Sequence, residues 1–215
     1  MIYLDNGATS YPKPDVVGDA VYDYIKNVGS NINRGGYAKA YSAAGVVLET
    51  REMISKMMNG YGSRYTIFTP GNTYSLNFLI KGLARKGDKI LISEMEHNAV
   101  YRPAYQLEQE GLIEVGYMPC NERGELKLEE ALDMIDESVR AVVMVHASNV
   151  SGTLMPLQEV GQRCHEKNVL FFVDAAQTAG NVPIDMKACH IDGLSLPGHK
   201  SVVAHRQFNS YSFFQ

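Results

Sequence analysis

The stretch Val169-Leu170-Phe171-Phe172-Val173-Asp174-Ala175-Ala176-Gln177 decides how this chain is read. Residues 169–173 are uniformly apolar, rich in β-branched and aromatic side chains, with no polar alternation. That pattern belongs to a strand buried on both faces. Asp174 closes the run. A carboxylate at the mouth of a buried strand is costly unless a cation or hydrogen-bond donors meet it. Gln177 follows three residues on, and Gly198-His199-Lys200 later supplies a lysine.

On either side of this strand the chain alternates. Residues 65–69 read as a strand and 73–84 as a helix. Residues 89–93 read as a strand and 100–110 as a helix, with Pro103 tolerated in its first turn. A strand at 113–117 precedes a helix at 128–135. Then come a strand at Val139–Val145, a helix at Leu157–Lys167 and a further strand at Gly193–Leu196. Before these units, helices are expected at 15–27 and 38–58, separated by the glycine-rich loop 29–36. The second should bury Val46, Val47, Ile54 and Met57. Such alternation predicts an α/β fold of three layers, a mostly parallel sheet with helices on both faces.

The 215 residues suffice for one sizeable core. Hydrophobic content is 45%, charged content 20% and net charge -4. With no dense Lys/Arg run, nucleic acid and membrane surfaces are not expected as partners. No apolar run approaches the roughly 18 residues that span a bilayer, and the first residues do not form a signal peptide. Cys120, Cys164 and Cys189 are odd in number and widely spaced. They suggest free thiols in a reducing cytoplasm, with neither a disulfide framework nor a metal site.

In an open parallel sheet, ligands sit beyond the carboxyl ends of the strands. Five strands should deliver polar groups there. Gly71-Asn72-Thr73 opens a helix, where free amides and the dipole suit a phosphate, though either side chain could equally be an ordinary N-cap. His97 could lie on a cofactor face and move protons, or simply cap a helix. Asn149 sits among turn-forming residues. Asp174 could pair with a protonated pyridine nitrogen and Lys200 could bind an aldehyde as an imine, a combination that points to pyridoxal phosphate. Each signal is weak alone; their common rim is what gives them weight.

The set resembles the class V aminotransferase group of fold-type I pyridoxal phosphate enzymes, and within it the cysteine desulfurase and selenocysteine lyase family. The matching stretches are Ile2-Tyr3-Leu4-Asp5-Asn6-Gly7-Ala8-Thr9-Ser10, residues 68–77, Glu96-His97-Asn98, Ser148-Asn149-Val150-Ser151-Gly152, residues 173–180 and Gly198-His199-Lys200-Ser201. The resemblance implies that Lys200 forms the imine, Asp174 meets the pyridine nitrogen and His97 stacks on the ring. It places Gln177 and Asn149 near the phenolic oxygen, and Asn72, Thr73 and His199 at the phosphate. Lys200, His97 and Asp174 would be catalytic.

It further implies a homodimer, an amino-acid substrate such as cysteine or selenocysteine, release of alanine, and a sulfur-acceptor protein. Other class V chemistry on this scaffold, or a cofactor-binding fragment without turnover, are the alternative readings. Two departures stand out. Pro197 occupies a position where the family often has Ser or Thr for the phosphate. Residues 202–215 do not match the family, whose chains continue into a smaller C-terminal domain carrying the catalytic cysteine and a substrate-binding arginine. The large domain is therefore expected over 1–201, incomplete, with 202–215 a divergent tail that could fill a gap in the sheet or pair with a second chain. None of the three cysteines occupies the catalytic position.

Overall fold

Side-chain parity along the strands sets the layers. In β4 (Val139–Val145), Val142 and Met144 enter one core while Ala141 and Val143 enter the other. In β2 (Asp88–Ser93), Leu91 parts from Ile90 and Ile92 in the same way. In β5 (Leu170–Asp174), Phe171 and Val173 part from Phe172. Both faces are apolar, so each must be covered. The helices α3 (Asn72–Leu83) and α4 (Asn98–Gln109) cover one face through Leu76, Leu79, Ile80, Val100 and Leu107. The other is covered by α2 (Ala38–Met57), α5 (Leu128–Asp133) and α6 (Leu157–Lys167), through Ile54, Ala131, Val160 and Cys164. This is the three-layer α/β arrangement expected from the alternation.

The computed structural model describes residues 2–32 and 35–202, and the backbone of 211–213. With β1 (Thr66–Phe68), β3 (Ile113–Met118), β6 (Gly193–Leu196) and β7 (Tyr211–Phe213), the sheet order is β1-β7-β6-β5-β4-β2-β3. The pairs among β2 to β6 are parallel. Strand β7 runs antiparallel to both β1 and β6, so β1 points the same way as the rest. Of the two fates open to the tail, part of it fills the gap between β1 and β6. The remainder, 203–210 and 214–215, lies outside the described residues.

Three local expectations change. The α4 helix begins at Asn98, not at 100, and Pro103 falls in its second turn. The earlier start is possible because His97 Nδ1 accepts the Ala99 N–H at 3.1 Å, capping the first turn. Strand β1 is shorter than 65–69 because Ser63–Tyr65 forms a tight helical turn. In α2 the buried residues include Ala40, Ala43 and Ile54, whereas Val46 is 61% exposed and Met57 43%. Small alanines are buried in place of Val46, while Ile54 enters the core as expected. The first helix, α1 (Asp15–Asp23), buries no residue at all.

Candidate active site

Strand direction brings the ends of β1, β2, β4, β5 and β6 to one rim, and Asp174 lies at its centre. In β5 it shares parity with Phe172, so it faces α3. Its register partner on β6 is Ser195, which stands on the same face because Leu194 and Leu196 enter the opposite core. Asp174 is 1% exposed and Ser195 fully buried. Asn72, first residue of α3, lies over both. Its Nδ2 donates to Asp174 Oδ1 at 2.8 Å, and its Oδ1 accepts from Ser195 Oγ at 2.7 Å. The Ala176 N–H donates to the same aspartate oxygen at 2.9 Å.

Burial pushes the Asp174 carboxyl upward. The Asn72 and Ala176 hydrogen bonds and the nearby charges of His97 and Lys200 oppose that push. Lys200 is half-buried, and burial lowers its ammonium against the pull of Asp174. With its side-chain amide suitably oriented, Gln177 accepts from Lys200 Nζ at 3.1 Å and donates to the Gly7 carbonyl at 3.3 Å. The structure thus brings Asn72, His97, Asp174, Gln177 and Lys200 together.

The loop carrying Lys200 is held from the other end of the sequence. The His199 carbonyl accepts from the Ser10 N–H at 3.3 Å, Thr9 Oγ1 at 3.2 Å, Ser10 Oγ at 3.1 Å and Lys13 Nζ at 2.9 Å. Of the other anticipated residues, Thr73 is exposed in the first turn of α3, whose N-cap residue provides no side-chain cap. Gly71 stands at its N-cap. Asn149 is exposed and shares with Gln177 a cavity of ≈ 590 Å³ that also takes in Ser148 and Thr178. Asn72, anticipated at a phosphate, has its side chain committed to Asp174 and Ser195; its backbone amide stays in the open first turn.

Two groups escaped the sequence reading. Glu96 Oε1 accepts from Ser93 Oγ at 2.6 Å and from the Val145 N–H at 2.7 Å. Its Oε2 is buried with no partner among the described residues. Burial pushes this carboxyl up to about 8 despite those bonds, and the charge of Asp174 adds to the rise. Glu96 thereby ties the loop bearing His97 to the end of β4. A glutamate next to a candidate histidine was the available signal. His146, buried at the end of β4, has Nδ1 2.9 Å from Thr178 Oγ1, and burial pushes it down to about 4. Among the described residues no group of three or more His, Cys, Asp or Glu is arranged to hold a metal ion. No described helix is long and apolar enough to cross a membrane.

A family model described as aminotransferase class-V matches residues 2–205. The chain is 34% identical over 203 residues to the cysteine desulfurase IscS of Clostridium botulinum, covering 93% of this chain and 50% of that protein. It therefore spans about half the length of the curated relatives it matches. Among solved structures, the apo cysteine desulfurase of Thermococcus onnurineus NA1 superposes with a TM-score of 0.93 at 27% identity, over 100% of this chain and 53% of that one. The protein SspA, solved in complex with cysteine, gives a TM-score of 0.91 at 25% identity, over 100% of this chain and 61% of that one. The chain belongs to the class V aminotransferase family, whose members depend on pyridoxal phosphate.

Proposed function

We propose that this chain forms the cofactor-binding part of a pyridoxal-phosphate enzyme of cysteine desulfurase type, acting on cysteine or selenocysteine. The observation behind this reading is one cluster, buried Asp174 with half-buried Lys200 and Gln177 and the exposed His97 at its edge. The donor set suits the cofactor. Both hydrogen bonds to Asp174 fall on Oδ1, leaving Oδ2 for a ring N–H. The uncapped first turn of α3 presents amides suited to a phosphate. Lys200 supplies an amine, and Gln177 with Asn149 lines the adjoining cavity.

When bound, the cofactor supplies an aldehyde and an electron-withdrawing pyridinium ring. The chain's residues do the rest. Asp174 keeps a negative charge at the ring nitrogen. Lys200, its basicity reduced by burial, would hold the cofactor through its aldehyde and would move a proton at the substrate Cα. His97 accepts at Nδ1 from Ala99, so its neutral ring carries the proton on Nε2, ready to donate. Thr73 and His199 assist at the phosphate. The partners would be a second copy of the chain and a sulfur-acceptor protein, in a cytoplasm that keeps its three thiols free.

A second reading is favoured by the thiols. Burial pushes Cys164 up to about 12 and raises Cys120 and Cys189. None has the lowered pKa that marks a reactive thiol, so these residues alone would bind the cofactor without completing sulfur transfer. The test is a visible absorbance spectrum after adding pyridoxal phosphate, followed by borohydride and mass spectrometry. A reduced label on Lys200 supports the cofactor site, and cysteine turnover then separates the two readings. Absence of any label overturns both.

A further inference from the structure

Ser195 belongs to none of the matching stretches, yet it is fully buried in a strand whose other inward residues are leucines. A buried hydroxyl needs a partner, and Asn72 Oδ1 provides one at 2.7 Å. A serine hydroxyl donates or accepts, whereas the Asp174 carboxylate only accepts; Asp174 therefore sets which way the Asn72 amide faces, and the Ser195 hydroxyl completes the arrangement by donating to Oδ1. With Oδ1 turned to Ser195, Nδ2 is turned to Asp174 Oδ1, 2.8 Å away. Asn72 and Ser195 reach the aspartate from α3 and β6, with Ser195 its register neighbour. Asp174 is thus gripped by one oxygen from two sides, through Asn72 and the Ala176 N–H.

We propose that Ser195 and Asn72 are positioning residues that fix the Asp174 carboxylate through Oδ1 and leave Oδ2 for the cofactor's ring nitrogen. This rests on the cofactor reading above, and it takes the Asn72 side chain away from the phosphate. The groups facing Asp174 electrostatically are His97, Lys200 and Glu96.

Three cofactor probes separate the roles: pyridoxal phosphate, pyridoxal without its phosphate, and a deaza analogue of pyridoxal phosphate with carbon in place of the ring nitrogen. Asn72→Ala is expected to weaken pyridoxal phosphate and pyridoxal alike, by about tenfold, the order for a hydrogen bond to a charged group. The deaza analogue should be unaffected. Ser195→Ala should lower affinity a few-fold and Ser195→Thr should restore it. In an Asp174→Ala background, Asn72→Ala should add nothing. A loss confined to the phosphate-bearing probes, or one that persists in that background, overturns the proposal.

A second readout uses the cofactor-free chain. The carbon-13 signal of the Asp174 carboxyl, followed against pH, should titrate higher in Asn72→Ala than in the wild type, and an unchanged titration overturns the proposal. If the wild-type chain takes no label at Lys200 while this titration still moves, the cofactor reading fails and the carboxylate relay stands.

Discussion

Two aspartates, Asp174 buried and Asp192 half-buried, stand at opposite rims of the sheet. Asp174 closes β5 at the rim where α3 and α4 begin. Asp192 lies just before β6, at the rim where α6 ends with His165 and Lys167. Burial raises both carboxyls. A cavity of similar volume lies at each rim: ≈ 590 Å³ is lined by Gln177 and Asn149, and ≈ 570 Å³ by Tyr61, His165, Lys187, His190 and Asp192. Size therefore does not distinguish a site from a surface hollow. The hydrogen bonding does.

Asp192 Oδ2 accepts one backbone N–H, from Phe171 at 2.8 Å, beside the stacked rings of His165 and His190. Its partners join neighbouring strands and brace the fold. Asp174 takes its hydrogen bonds from α3 and from the residue after β5, with a half-buried lysine close by and one oxygen left over. In an α/β sheet the difference has a general cause. Helix N-termini, with their unpaired amides, gather at one rim and helix C-termini at the other.

The contrast breaks most sharply with lysines. Lys200→Ala should abolish the borohydride-fixed label seen by mass spectrometry, while Lys187→Ala at the other rim should leave it intact. Loss of label in Lys187→Ala would contradict the assignment of the rims. Next comes cofactor affinity. Asp174→Asn should weaken pyridoxal phosphate binding by about 10- to 100-fold, since a hydrogen bond to a charged group contributes roughly 1.5–3 kcal/mol. Asp192→Asn should not alter the same absorbance titration.

A third prediction concerns pH. The Glu96 carboxyl is raised by burial from 4.5 to about 8. Between these values the folded state binds more protons than the unfolded, so this group's contribution to stability is greatest below 4.5 and declines as pH rises towards 8. The slope approaches about 1.4 kcal/mol per pH unit at most. Glu96→Gln should flatten urea-unfolding stability across that window, and an unchanged slope would show that Glu96 does not titrate as a buried acid. The smallest effect is expected from Asp192→Asn on stability. It should cost about 1 kcal/mol by weakening the bond from Phe171, as a shift of urea midpoint at constant slope.

Much of this was legible in the residues. Apolar runs such as 169–173 announced the parallel strands, and each cofactor candidate follows the strand that the reading assigned to it. What was missed depends on contacts distant in sequence. The Asn72 side chain is committed by Asp174 and Ser195, 102 and 123 positions away, and no local pattern around Gly71-Asn72-Thr73 reveals that. The start of α4 was misplaced because a histidine cap is a weaker signal than a proline. Val46 and Val47 drew attention in α2, yet Ala40 and Ala43 are the residues buried there and Val46 is exposed. The strand Tyr211–Phe213 could not be assigned because a short aromatic segment does not specify its partner.

The carbonyl of His199 has a consequence for the order of folding. Its side-chain donors lie 186 to 190 positions back along the chain. Closing a loop of that length costs roughly 5 kcal/mol of chain entropy, and contacts so distant form late on the folding pathway. The loop before Lys200 is therefore set only after the two segments have met. Cofactor capture at the proposed site would then report finished folding, and the Ser10 amide is expected to be among the first to exchange with solvent when the molecule opens.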